Sequence, residues 1–347
     1  MKKIGICGHF NMGSEAIGGQ TIKTRIISET LEEIYGLKQV MKLDTKGWKK
    51  NRIRFFFKCI HMAIYSENII ILPAQNGVKI LIPLFVLFSK ILGRKLHYIV
   101  VGAWLPKLLN NNKYLIKPTK NVSYIYAETN TLINKLSTLG IEVNTYLMPN
   151  FKKIQPVKGK SEDKKYEKPY RLCMVSRINY EKGIESAINV VNRLNREQNE
   201  SIVELDIYGP VEENYKDRFN QLLKQCSNSI RHKGIIDYDN TVEVIKEYYF
   251  LLFPTKYYTE GFPGTVLDAY LSGVPVLASR WESWEDIIKE GITGITFEFD
   301  NENDFYTKLK HLVQHENLVL QMKKNCRVEA TKYSVDNVIK VLVDNIS

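Results

Sequence analysis

The chain has 347 residues, 44% hydrophobic and 25% charged, a composition that excludes a largely disordered protein and a length that predicts two domains. The formal net charge is +11, yet residues 1–150 hold 21 Lys and Arg against 8 Asp and Glu, while the rest holds 28 against 30. All of the basic excess sits in the first half, which predicts an anionic partner there.

In chain order, short apolar runs, most of them unbroken, predict strands over residues 3–10, 39–43, 68–72, 96–101, 122–127 and 143–148. Six more follow at 170–175, 204–208, 230–235, 249–253, 274–278 and 295–299. Amphipathic stretches between them predict helices, among them 19–35, 183–195, 265–272 and 302–315. Strands apolar on both faces suit parallel sheets covered by helices on both sides, so the alternation predicts an α/β fold of two doubly wound sheets. Residues 151–168 are rich in Lys, Glu, Asp and Ser without apolar period and read as a linker between a domain at 1–150 and a second at 169–333. Residues 334–346 form one more amphipathic helix, whose docking partner the sequence leaves open.

Five widely spaced cysteines without a CxxC fit a reducing, cytoplasmic setting rather than a disulfide framework or zinc site. The first apolar stretch stops at His9, too short for a signal peptide. The longest apolar run, 80–88, is too short to cross a bilayer as a helix, so any membrane contact is expected to be peripheral.

Three segments carry chemistry. Ile17-Gly18-Gly19-Gln20-Thr21 joins the first strand to the first helix. Adjacent glycines there let backbone N–H groups approach a phosphate at a helix start, although a plain βα turn explains them equally well. Neither GxGxxG nor the Lys-Ser/Thr of a P-loop is present. In Ser176-Arg177-Ile178-Asn179-Tyr180-Glu181-Lys182-Gly183, two cations follow the carboxyl end of a strand, where open α/β sheets bind ligands. Arg grips two phosphate oxygens and Lys adds a mobile point charge. In the third segment Glu260-Gly261-Phe262-Pro263-Gly264-Thr265 leads into a helix, with Asp268 in its first turn. The helix start favours a phosphate, and the two carboxylates can bond hydroxyls of one polar ligand. An N-capping cluster accounts for Thr265 and Asp268 but not for the Gly-Phe-Pro-Gly framing.

Together these segments resemble the family-4 retaining glycosyltransferases of GT-B fold. The resemblance runs over the whole chain and is strongest from 170 to 299. Arg177 to Gly183 is similar to the family's Arg-x4-Lys-Gly diphosphate clamp. The Glu260 segment is similar to its Glu-x7-Glu motif, and Ser272-Gly273-Val274-Pro275-Val276 to the region after it. The resemblance implies two Rossmann-like domains with a nucleotide-sugar donor held in the cleft between them, mostly by the second. Arg177 and Lys182 would neutralise the diphosphate as the sugar bond breaks. Gly18 and Gly19 would approach the same diphosphate. Glu260 would bond sugar hydroxyls, with Gly261, Phe262 and Gly264 beside it, Thr265 N–H on a phosphate, Asp268 on the ribose and backbone near Ile236 on the base. It also implies retention of configuration by same-face attack, with the leaving diphosphate helping to deprotonate the acceptor, and no metal or other cofactor.

Two departures stand out. Asp268 replaces the motif's second Glu. The His that many members carry after the fourth strand is absent: His97 lies at that strand's start and Gly102 occupies the expected place, while His9 follows the first strand. Asp237-Tyr238-Asp239 has the form of a metal-binding DxD but sits where Asp and Asn cap a helix, so it is read as a cap.

Lys46, Lys49, Lys50, Arg52, Arg54 and Lys58 crowd one segment with Trp48 and Phe55 to Phe57. Cations interleaved with aromatics suit the surface of an anionic membrane, here the inner face of the cell membrane; an ordinary helix with inward aromatics is the competing reading. No nucleic-acid motif accompanies the charge. The favoured function is transfer of a sugar to a lipid-linked or glycan acceptor in bacterial-type surface polysaccharide synthesis. A GT-B-fold nucleotide-sugar epimerase would turn over donor without acceptor, and a non-catalytic partner subunit would bind nucleotide without turnover.

Overall fold

The computed structural model describes residues 2–11, 18–142, 144–153 and 166–346. It forms two compact units, Met1–Lys153 with Val335–Ser347, and Ile154–Ser334.

The strands of the first unit are β1 (Lys2–Gly8), β2 (Val40–Asp44), β3 (Ser66–Leu72), β4 (Lys95–Ile99), β5 (Tyr124–Ala127) and β6 (Asn144–Leu147). All pair in parallel, in the order β2-β1-β3-β4-β5-β6. Ile69 to Leu72 are wholly buried, as expected of a strand covered on both faces. Helices α1 (Gly19–Tyr35), α2 (Arg52–Tyr65), α3 (Gln75–Leu92), α4 (Leu105–Asn111), α5 (Ile116–Thr119) and α6 (Asn130–Thr138) make the crossovers.

The second unit has β7 (Tyr170–Val175), β8 (Val203–Tyr208), β9 (Ile230–His232), β10 (Phe250–Phe253), β11 (Val276–Ser279) and β12 (Gly294–Phe297). Its sheet is also parallel, in the order β12-β11-β10-β7-β8-β9. The helices are α7 (Ile184–Gln198), α8 (Lys216–Gln225), α9 (Thr241–Ile245), α10 (Gly264–Leu271), α11 (Glu302–Gln314) and α12 (Glu316–Ala330). In each sheet the chain starts in the middle and winds both ways. A switch point therefore lies above the carboxyl end of the first strand, β1 in one unit and β7 in the other.

Helix α13 (Val335–Ile346) closes the chain and packs on the first unit, with Val338, Ile339, Leu342 and Ile346 buried among Ile4, Ile27 and Tyr126. Of the expected linker 151–168, residues 154–165 lie outside the described residues. Phe151 and Lys152 are buried, and Phe151 belongs to the first unit's core. Two local expectations are corrected. Asp268 is the fifth residue of α10, one turn later than expected. The apolar run at 80–88 is the centre of the 18-residue α3, which is long and apolar enough to cross a membrane by length and composition.

Candidate functional site

In the second unit, β7 ends at Val175 and the chain runs through Arg177 to a 3-10 turn, Tyr180–Lys182, that opens α7. The Asn179 side chain caps that turn, accepting the Lys182 N–H at 3.1 Å. Gly183 then takes φ +71°, and a Cβ there would sit 1.9 Å from the Pro254 carbonyl oxygen. Only glycine fits this contact, which draws the end of the turn against the strand end of β10. The Lys256 N–H donates to the Glu181 carbonyl at 2.7 Å, fixing the same junction. Gly209, after β8, is equally constrained: a Cβ would lie 1.7 Å from the Ser176 carbonyl oxygen.

These junctions bring Lys182 and Glu260 together, with Nζ to Oε2 at 2.6 Å and both side chains partly open to solvent. The Thr255 hydroxyl lies 3.4 Å from the same carboxylate oxygen. Arg177 is 71% exposed and 3.7 Å from Glu212, which also accepts a 2.9 Å bond from Asn179. Arg177, Lys182, Glu212, Tyr257 and Glu260 line one recess of about 550 Å³ at the carboxyl edge of the sheet. A larger recess of about 660 Å³ lies at the opposite edge, lined mostly by Asn and Ser side chains with Arg196 and Glu200 among them.

Beyond Glu260, the Phe262 side chain is buried and meets Tyr333 edge-on at 4.9 Å, so it serves the core and leaves only its backbone for a ligand. Helix α10 starts after Pro263, which supplies no side-chain cap. The Thr265 hydroxyl is buried without a hydrogen-bond partner near that helix start. Asp268 is buried beside Tyr238; burial, with the carboxylates of Asp268 and Asp239 nearby, pushes that phenol well above its usual range. Ile236 is half-buried against the core, in the loop that follows β9. Asp237 precedes the 3-10 turn Tyr238–Asn240, but its side chain makes no capping bond, which corrects the reading of this stretch as a cap.

In the first unit, Gly18 and Gly19 are exposed at the start of α1, and a Cβ on either would meet nothing within 4 Å. Packing among the described residues therefore does not demand glycine there; Ile17 lies outside them. The Gln20 amide donates to the Leu72 carbonyl at 2.7 Å, seating α1 over the end of β3. Lys23 and Glu128 form a buried pair at 2.8 Å, and the other Glu128 oxygen accepts the Gly102 N–H at 2.9 Å. No sequence signal pointed to Glu128 or Glu212, because each acts through a partner distant in the chain, whereas Asn179 lies within the Arg177–Gly183 segment and caps its turn. His97 is wholly buried, its ring nitrogens within hydrogen-bond distance of the Tyr126 hydroxyl and Asn68 Oδ1. It is a core residue.

The basic segment divides. Phe55 packs into the core with Trp48 half-buried against it at 5.9 Å, whereas Phe56 and Phe57 face solvent. Lys46, Lys49, Lys50, Arg52, Arg54 and Lys58 are all exposed.

Comparison with known proteins agrees with this fold. The Anabaena protein HepE, solved in complex with UDP, superposes with a TM-score of 0.77 at 14% identity, covering 100% of this chain and 99% of that one. The shared architecture is GT-B, with two Rossmann-like units. A Campylobacter jejuni N,N'-diacetylbacillosaminyl-diphospho-undecaprenol alpha-1,3-N-acetylgalactosaminyltransferase is 24% identical over 244 residues, 65% of this chain and 62% of that protein. An uncharacterized 41.2 kDa protein of the Klebsiella pneumoniae cps region is 24% identical over 160 residues, 46% of this chain and 41% of that protein. The chain spans less than two thirds of the length of the curated relatives it matches. Residues 158–329, which carry the Arg177–Lys182–Glu260 recess, match the family model "Glycosyl transferases group 1", and over this stretch the chain is similar to that family.

Proposed function

We propose that the protein is a retaining glycosyltransferase that moves a sugar from a nucleoside diphosphate sugar to a lipid-linked or glycan acceptor. The observation that carries this reading is the convergence of Arg177, Lys182 and Glu260 on one recess at the strand ends. A departing diphosphate gains negative charge as the glycosidic bond breaks, and two fixed cations stabilise that change where it develops. Lys182 is tied to Glu260 in the ligand-free site; a phosphate takes Lys182 over and releases Glu260 to accept sugar hydroxyls. The unpartnered Thr265 hydroxyl and the uncapped start of α10 suit a phosphate oxygen. Asp268 takes the ribose role, the Ile236 loop flanks the base, and Gly18 and Gly19 leave room for close approach to the backbone of α1. With Arg177 and Lys182 supplying positive charge, the reading includes no metal. Retention rests on the motif resemblance.

The lipid-linked acceptor is supported by the diphospho-undecaprenol of the Campylobacter relative, and surface polysaccharide synthesis by the Klebsiella protein of the cps region. Work at the inner face of an anionic membrane is supported by the basic first half and by Cys7, Cys59, Cys173, Cys226 and Cys326 all being free thiols. The test is release of nucleoside diphosphate from UDP-, GDP- and ADP-sugars, with and without a membrane lipid extract as acceptor. Release that requires acceptor supports the reading. Conversion of donor without acceptor, or no turnover with any donor, overturns it.

A further inference from the structure

Helices α2 and α3 bury one side each in the first unit's core, yet both also turn an apolar stripe outward. On α2 the core side carries Phe55, Cys59 and Met62, whereas Ile53, Phe56, Phe57 and Ile64 are exposed. Those four positions fall within one side of a 3.6-residue helix, opposite the core. On α3 the core side carries Val78, Ile82 and Phe85, and the opposite side exposes Ile80, Leu87 and Ile91. The stripes adjoin where Phe56 meets Phe88 at 6.2 Å. Ile53 is 74% exposed and Ile91 69%, so these side chains are neither rim nor core. Single exposed apolar residues are ordinary, but two adjoining stripes on neighbouring helices form a patch that needs an occupant.

The charges around the patch select that occupant. Neither α2 nor α3 contains an Asp or Glu, and between Asp44 and Glu128 the only carboxylate is Glu67, against fourteen Lys and Arg. Lys49, Arg52, Arg54 and Lys58 border the α2 stripe, and Lys79 and Lys90 border that of α3, all of them exposed. A second copy of the chain would set these cations against their own kind, whereas phosphate headgroups complement them while the stripes enter the acyl boundary. Although α3 is long enough to cross a membrane, its core side builds the unit, so it lies along a surface.

We infer that the α2–α3 face is where the protein enters the headgroup layer of an anionic bilayer. This names the membrane partner of the proposed function and rests on that reading only for its purpose, since vesicle binding is measurable without turnover. The test is sedimentation of the full chain with vesicles of phosphatidylcholine alone or mixed with phosphatidylglycerol. The wild type should pellet with the anionic vesicles and not the neutral ones. A variant with Ile53→Ser, Phe57→Ser, Leu87→Ser and Ile91→Ser should keep its melting temperature within a few degrees and bind at least roughly tenfold more weakly. A charge-reversed variant, Arg52→Glu, Arg54→Glu and Lys58→Glu, should lose binding to a similar extent. Equal binding by wild type and both variants overturns the inference. So does failure of the wild type to pellet, or a solution dimer that the serine variant abolishes. If vesicles bind while no nucleotide sugar is turned over, the proposed function fails and the surface assignment stands.

Discussion

Single side chains decide the chemistry of the second unit. If the proposed function holds, Lys182→Ala removes a cation from the leaving diphosphate, and transfer should fall by roughly 100-fold or more, as when one preorganised donor to a developing charge is lost. Glu260→Gln keeps size but loses the charge and turns one acceptor oxygen into a donor amide, and should cost roughly tenfold through weaker bonding of sugar hydroxyls. Steady-state kinetics with the donor found by the release assay checks both, and unchanged rates would refute the assignment. Gly183 is a different kind of residue. Gly183→Ala drives a Cβ into the Pro254 carbonyl at a positive φ, so it should destabilise the protein by about 2–4 kcal/mol and displace Lys182 as well. Urea unfolding measures the first effect and donor binding the second. The Arg-x4-Lys-Gly pattern was readable in the sequence, but the reason for its glycine was not. The glycine serves a backbone contact between two strand ends about 70 residues apart, and no local rule contains that distance.

At the scale of elements, strand β4 is pinned to its neighbours by one histidine. His97 reaches Asn68 on β3 and Tyr126 on β5, and burial, then the nearby Lys95 charge, pushes its pKa down to about 3. The ring is neutral in the fold but takes a proton near pH 6.5 once unfolded. Its contribution to stability is therefore complete above about pH 6.5 and declines as the pH falls toward 3, by up to about 1.4 kcal/mol per unit. Thermal unfolding between pH 7 and 4 should show this slope in the wild type and a shallower one in His97→Gln; parallel slopes would refute it. Helix α13 is the second case. Leu342→Ala should cost about 2–5 kcal/mol, because the wholly buried side chain leaves a cavity in the first unit. Removing residues 335–347 should lower hydrogen-exchange protection in β1 and α1 while leaving β10 and β11 protected. Uniform loss in both units would contradict the assignment of α13 to the first unit alone. The central strands were legible from their apolar runs, since burial on both faces leaves no alternation to misread, whereas the edge strands β2, β6 and β9 are only partly buried and more polar. The ends were less so: the strand expected over 3–10 stops at Gly8, where the chain turns toward the switch point.

For the whole molecule, a ligand that binds only the folded protein raises its melting point with the logarithm of saturation. The true nucleoside diphosphate sugar at 100 times its Kd should add about 2.7 kcal/mol, a shift of a few degrees that stands out in a thermal screen of UDP-, GDP- and ADP-sugars. Lys182→Ala should erase the shift, and an identical shift in that variant would place the donor elsewhere. The sequence by itself determined the α/β alternation, the excess of positive charge in the first half and the order of the Arg177, Lys182 and Glu260 motifs. Each is written in neighbouring residues or in composition, which folding does not alter. Tertiary structure alone decided that Lys182 meets Glu260, that Asp268 lies in the second turn of α10 beside Tyr238, that α13 belongs to the first unit, and that Phe55 turns inward while Phe57 turns out. Those outcomes depend on which surfaces meet across long chain separations, and burial against distant elements fixes them where local pattern leaves both faces of a helix apolar.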